Sequence, residues 1–218
     1  MTKKVFIVHT SLVSHKDLNA LFHEIMPDVK VHNIVDDSLL EEVKTVGHIT
    51  PNIVSRMVEY FKNAEKCGAN LIFNQCSSVG EAAEIAAKSV NVPVLRIDQA
   101  MAEKAIGLGQ RIAVVGTVAS TMEPSCQLIE KEAHKQQKQV EIIPCLIDGV
   151  LDILMKKGPE EHNQYILEKL EQIQEQVDVI VLAQGSMAVL EPQLTLIRKS
   201  VLTSPRLGVE KAKTLLNL

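Results

Sequence analysis

One cysteine in this chain stands where reactive chemistry is usually found. Leu71-Ile72-Phe73-Asn74-Gln75-Cys76-Ser77-Ser78-Val79-Gly80 is an apolar run that ends abruptly in small polar residues, with a thiol at the turn. At the junction of a buried strand and a helix, a thiol meets the positive helix end, which favours the thiolate. The thiolate is the form that attacks carbon or takes protons. Free cysteine is also a common small core residue. The flanking Asn74, Gln75, Ser77 and Ser78 argue for a reactive role over a packing one. A fainter copy of the turn lies later, at Val181-Leu182-Ala183-Gln184-Gly185-Ser186-Met187, and it has no thiol.

The elements that must position these turns alternate. Val5–Val8 is a fully apolar run, as a parallel strand covered on both faces should be, and His9-Thr10-Ser11 closes it. A helix is expected from Ser14 to Met26, with Ser14 as its cap. Then come a strand over 29–34, a loop at Asp36-Asp37-Ser38, and a helix opened by Thr50-Pro51 and ended by Gly68. Strand 70–74, helix 79–89 and strand 94–97 complete the first round. Arg96 and His48 read as solvated strand-end and loop residues. The second round has a helix capped by Asp98, strand 112–115 ending in Gly116-Thr117, helix 120–136 and strand 140–144. A loop with Asp148-Gly149, helix 159–176, strand 177–182, a helical stretch 190–201 and a last helix opened by Thr203-Ser204-Pro205-Arg206 follow. This alternation predicts an α/β protein with parallel sheets.

The two rounds resemble each other. Val5–Thr10 matches Ile112–Thr117, and Ile72–Ser78 matches Val181–Met187. Thr10 lies 66 positions before Cys76, and Thr117 lies 68 before Gly185. The expectation is a repeat of two similar halves related by a pseudo-twofold axis. The first half is residues 1–98 with 206–218, and the second is 99–205. Ligands of parallel sheets bind beyond the carboxyl ends of the strands. A cleft with Cys76 on one wall and Gly185 on the other is therefore expected, with Thr10 and Thr117 nearby.

Composition excludes several functions. The net charge of −4 over 218 residues carries no nucleic-acid footprint, and no Trp with two Tyr and four Phe makes a base-stacking platform unsuitable. Cys67, Cys76, Cys126 and Cys145 form no CxxC pair, which argues against a zinc site or a dithiol redox motif. No signal-like region and no membrane-spanning apolar run is found, so a cytoplasmic protein with free thiols is expected.

The Asn74-Gln75-Cys76-Ser77-Ser78 turn, the second turn and the Thr-containing loops after each half's first strand resemble the aspartate/glutamate/hydantoin racemase superfamily, over essentially the whole chain. That resemblance implies cofactor-independent chemistry at the α-carbon of a small carboxylate, with one thiolate removing the proton and a thiol of the other half returning one. It implies no pyridoxal and no metal, a small-molecule carboxylate as partner, no nucleic acid, no membrane, and a possible homodimer. Cys76 would be catalytic. Ser77, Ser78 and the N–H groups after them would hold a carboxylate at the positive helix end, with Gly80 allowing close approach. Thr10, Asn74, Thr117, Gln184, Gly185, Ser186 and Arg206 are the further substrate-binding candidates, Arg206 through a carboxylate pair. His9 is a weaker catalytic candidate.

The chain departs from the family's pattern at the second cysteine, where Gly185 is expected to stand. Ser186 is a poor substitute, because an unactivated hydroxyl is neither acid nor base near neutral pH. One-thiol readings therefore stand beside racemisation. The superfamily resembles single-cysteine arylmalonate decarboxylases and maleate isomerases, and a non-catalytic carboxylate binder is the third alternative.

Overall fold

The computed structural model describes residues 2–218, with the Leu151 side chain left out. The elements run β1 (Lys4–His9), α1 (His15–Ile25), β2 (Lys30–Val35), α2 (Ser38–Val46), α3 (Pro51–Lys66), β3 (Leu71–Asn74), α4 (Gly80–Ala87), β4 (Val94–Arg96) and α5 (Gln99–Leu108). They continue with β5 (Arg111–Gly116), α6 (Ala119–Lys135), β6 (Glu141–Leu146), α7 (Val150–Lys157), α8 (Pro159–Ile173), β7 (Val179–Leu182), β8 (Ser200–Leu202) and α9 (Ser204–Leu215). Short 3-10 segments follow β3 at Ser77–Val79 and β7 at Gly185–Leu196.

The strands form two four-stranded sheets of like topology, β2-β1-β3-β4 and β6-β5-β7-β8, and every pairing is parallel. The chain divides into two compact units, Met1–Ala100 with Pro205–Leu218, and Met101–Ser204. Each is an α/β half of the same plan.

In the first unit the central strands are apolar because both faces are covered. Val8 and Ile72 face Ile53, Met57 and Phe61 of α3, Ala82, Ala83 and Ala86 of α4, and Leu39 and Val43 of α2. Ile7, Leu71 and Phe73 face Leu18 and Phe22 of α1 and Val209 and Ala212 of α9. The carboxyl-terminal helix therefore completes the first unit's core. It comes close: a Cβ on Gly208 would lie 2.6 Å from the Ile97 carbonyl oxygen. Helix α3 starts as expected, with Thr50 Oγ1 accepting from Ile53 N at 3.2 Å and Pro51 in the first turn. Such a cap stabilises by about 1 kcal/mol.

In the second unit Ala113, Val115, Ile180 and Leu182 pack on Ile166, Leu167 and Leu170 of α8 and on Leu190. Helix α6 buries Leu128, Ile129 and Ala133.

Four expectations are corrected. The loop after β2 contains α2, nine residues long. The loop after β6 contains α7. The stretch 190–201 is not an α-helix: it finishes a 3-10 segment and then enters the edge strand β8, whose Ser200 and Val201 pair with Val179 and Ile180. Ser14 precedes α1 but makes no side-chain cap bond. Among the described residues no helix is long and apolar enough to cross a membrane.

Candidate active site

The first unit's candidate residues gather at the carboxyl ends of β1 and β3, which are adjacent in register with Val8 opposite Asn74. Gln75 continues the ladder, its N–H donating to the Val8 carbonyl at 3.0 Å. Cys76 is extended, with φ −113° and ψ 121°, and the chain then turns sharply into the 3-10 segment Ser77–Val79 and α4. The half-buried Cys76 packs against the core on the α3/α4 face. Ser77 and Ser78, which follow it, are buried, as are His9, Thr10 and Asn74 at the strand ends. Asn74 fixes the turn, its Nδ2 donating to the Cys76 carbonyl oxygen at 2.9 Å.

Beneath the turn lies an ion cluster that hydropathy did not reveal. Arg96 is 6% exposed and Asp98 1%. Arg96 Nε donates to Asp98 Oδ1 at 3.0 Å, Nη2 to Asp98 Oδ2 at 2.9 Å, and Nη1 to Glu84 Oε1 at 2.8 Å. Burial alone would weaken the guanidinium's hold on its proton. The Asp98 and Glu84 carboxylates outweigh that and raise its pKa. The expectation of a solvated Arg96 is thus overturned: a strand-end arginine can be buried when a bidentate partner lies two residues on. Its guanidinium presses on the first residue of α4, where a Cβ on Gly80 would sit 2.3 Å from Arg96 Cζ. Gly80 is needed there for space.

The second unit repeats the plan without the thiol. Val115 pairs with Leu182, and Ala183 N donates to Val115 O at 2.8 Å. Counting from Val8–Asn74 in one sheet and Val115–Leu182 in the other, Gln75 corresponds to Ala183 and Cys76 to Gln184. The expected match of Cys76 with Gly185 is therefore one residue out of register. Backbone conformation agrees, because Gln184 has φ −116° and ψ 135° and precedes its 3-10 segment as Cys76 does. The Gln184 amide is clamped: Thr117 N donates to its Oε1 at 3.0 Å, and its Nε2 donates to Thr117 Oγ1 at 3.1 Å. Gly185 is half-buried, and Ser186 is exposed.

The other candidates fall elsewhere. Arg206 Nη2 donates to Glu24 Oε1 at 2.9 Å, and the two side chains are 48% and 59% exposed, a surface ion pair of small energetic worth. Cys126 lies within α6 and Cys145 within β6, and burial foremost pushes both thiols up. Burial lowers the His9 pKa; His15 adds to that, and a hydrogen bond to Asn33 opposes it. Among the described residues no group of three or more His, Cys, Asp and Glu comes together to hold a metal ion.

A model of the Asp/Glu/Hydantoin racemase family matches residues 8–212. No curated protein matches the chain. Among solved structures, a putative Asp/Glu racemase from Yersinia pestis has a TM-score of 0.79 at 14% identity, covering 99% of this chain and 100% of that one. An aspartate racemase homologue from Pyrococcus horikoshii reaches 0.78 at 15% identity, with all of both chains covered. The allantoin racemase of Klebsiella pneumoniae reaches 0.70 at 16%, over 99% of this chain and 88% of its own. At such identities the likeness is one of fold.

Proposed function

The chain belongs to the Asp/Glu/hydantoin racemase family, and from that premise we propose that it is an enzyme acting at the α-carbon of a small carboxylate through Cys76, moving a proton on one face of that carbon. The observation that carries the reading is the place of Cys76: a half-buried thiol between a buried strand and a tight turn that opens with the buried Ser77 and Ser78. An α-proton is very weakly acidic, so the base must be close and the enediolate must be held. Cys76 Sγ takes the proton as thiolate. The C–H bonding pair passes into the carboxylate to form the enediolate, and the resulting thiol returns a proton to the same carbon. Ser77, Ser78 and the N–H groups of the turn hold the carboxylate. Asn74 positions Cys76 through its carbonyl. Thr10 is a binding candidate at the end of β1, and Thr117, Gln184, Gly185 and Ser186 are those of the second unit. The scheme calls for neither pyridoxal nor metal.

A second reading is favoured by the amide at Gln184, where the register would seat a second thiol. With one thiol, proton return is confined to one face. The same machinery then suits a lyase acting on a substituted malonate: one carboxyl group leaves as CO2, the C–C bonding pair passes into the remaining carboxylate to form the enediolate, and Cys76 delivers a proton to the α-carbon before solvent restores its own.

The experiment is deuterium incorporation at the α-carbon in D2O over a panel of amino acids, hydroxy acids and substituted malonates. Cys76→Ala is expected to lose incorporation by at least ~100-fold on any substrate found. An unchanged rate in that variant on a confirmed substrate refutes the role of Cys76.

A further inference from the structure

The first unit holds a chain of side-chain hydrogen bonds whose direction is fixed from one end. Asn19 Nδ2 donates to the His15 carbonyl at 2.7 Å, and a carbonyl only accepts, so the orientation of the Asn19 amide is set. Asn19 Oδ1 accepts from Asn33 Nδ2 at 3.0 Å. Asn33 Oδ1 then takes Asn19 Nδ2 at 3.2 Å and faces His9 Nε2 at 2.8 Å. That oxygen only accepts, so Nε2 carries the ring proton. His9 is buried, and burial disfavours a second proton. Nδ1 is left as a bare lone pair, buried and without a hydrogen-bond partner.

It is not alone. Asn74 Oδ1 and Gln75 Oε1 are also buried without partners, at the end of the neighbouring strand. The Asn74 orientation is fixed by the same logic, since its Nδ2 donates to the Cys76 carbonyl. His9 Nδ1 and Asn74 Oδ1, the two whose orientation a bond fixes, are thus both acceptors. Buried polar groups are ordinarily paired. A ligand made only of carboxylates and carbon offers them no donor.

We infer that His9 is a specificity-determining acceptor: its Nδ1, held bare by the Asn33–Asn19 chain, receives a hydrogen bond from an ammonium, amide N–H or hydroxyl group of the ligand. The site thereby selects carboxylates that carry such a donor over those that carry none. Asn33 and Asn19 are positioning residues. The inference rests on the Cys76 reading only in seating the ligand at this end of the first sheet.

The test is 15N NMR of the histidine rings in the full chain, together with alkylation of Cys76 by iodoacetamide. In the free protein His9 should show an unprotonated Nδ1 and a protonated Nε2. Aspartate, glutamate, malate and hydantoin are then compared with succinate and glutarate. At least one donor-bearing probe should move the Nδ1 resonance and shield Cys76, while succinate and glutarate leave Nδ1 in place. Asn33→Asp, at an exposed position, should draw a second proton onto the ring and abolish the Nδ1 response with the fold intact by circular dichroism. A protonated Nδ1 in the free protein overturns the inference. So does an equal response to succinate, or no response to any donor-bearing probe. A probe that shields Cys76 yet leaves Nδ1 unmoved removes the role of His9 and leaves that of Cys76. Failure of Cys76 shows separately, as deuterium exchange that persists in Cys76→Ala.

Discussion

The turns after β3 and β7 are built on one backbone plan and filled differently. Each begins with an extended residue, at φ −113° for Cys76 and −116° for Gln184. In each, the preceding N–H is bonded to the first strand, Gln75 to Val8 and Ala183 to Val115. Each unit ends its first strand beside a threonine, Thr10 or Thr117. One turn carries a thiol over a buried ion cluster, and the other carries an amide clamped to a threonine. A repeated fold can therefore keep one turn geometry in both halves while only one of the two turns carries a thiol.

The largest effect expected from that contrast is Cys76→Ala, with α-exchange lost by ~10²–10⁴-fold, read by mass spectrometry of the recovered acid. No single substitution in the second turn should approach it. The turns should also differ in stability. Asp98→Ala leaves the buried Arg96 without its bidentate partner and should cost about 3–5 kcal/mol in urea unfolding. Thr117→Val removes one neutral hydrogen bond and should cost about 1 kcal/mol. Equal costs would mean the ion cluster does not brace the first turn. A third comparison sharpens which residue anchors the second turn: Gln184→Ala removes both bonds of the amide to Thr117 and should cost about 1–2 kcal/mol, whereas Ser186→Ala, at an exposed position, should change stability by less than about 0.5 kcal/mol. Equal costs would mean that the amide does not hold the turn. The smallest effect is with pH. Burial makes folded His9 bind a proton less readily than the unfolded chain does, so its stabilising contribution is present above the ordinary histidine value of 6.5 and declines as pH falls below it. Urea midpoints at about pH 7.5 and about pH 5 check this, and a midpoint that rises on acidification contradicts it.

Much of this was legible in the sequence. The apolar runs at Val5–Val8 and Val181–Leu182 are strands because both faces are buried, and burial is what hydropathy reports. Cys76 stood out by its place at the end of one such run. The register of the repeat did not read correctly, because Gln75 and Gln184 look alike and drew the match one residue off. Ladder pairing obeys backbone hydrogen bonds, and turn side chains do not report it. Thr117 and Gln184 are in fact 67 positions apart, one more than Thr10 and Cys76. Helices α2 and α7 were hidden by brevity and weak starts: Asp37 makes no side-chain cap, and only Leu39 and Val43 of α2 are buried. Arg96 reads as solvated because a lone arginine is ordinarily exposed, whereas its burial depends on Glu84, twelve residues away, as well as on Asp98. The His9–Asn33–Asn19 chain joins residues from β1, β2 and α1, so only the fold assembles it.

The central claim is that one thiol, at one strand end, works on one face of the substrate carbon. It is tested most directly by following deuterium entry and enantiomer composition together in the wild-type protein, on the substrate that exchanges fastest. The account predicts that deuterium enters while the enantiomer is retained, and that both signals vanish in Cys76→Ala. Inversion that keeps pace with exchange, or exchange that survives without Cys76, would contradict it.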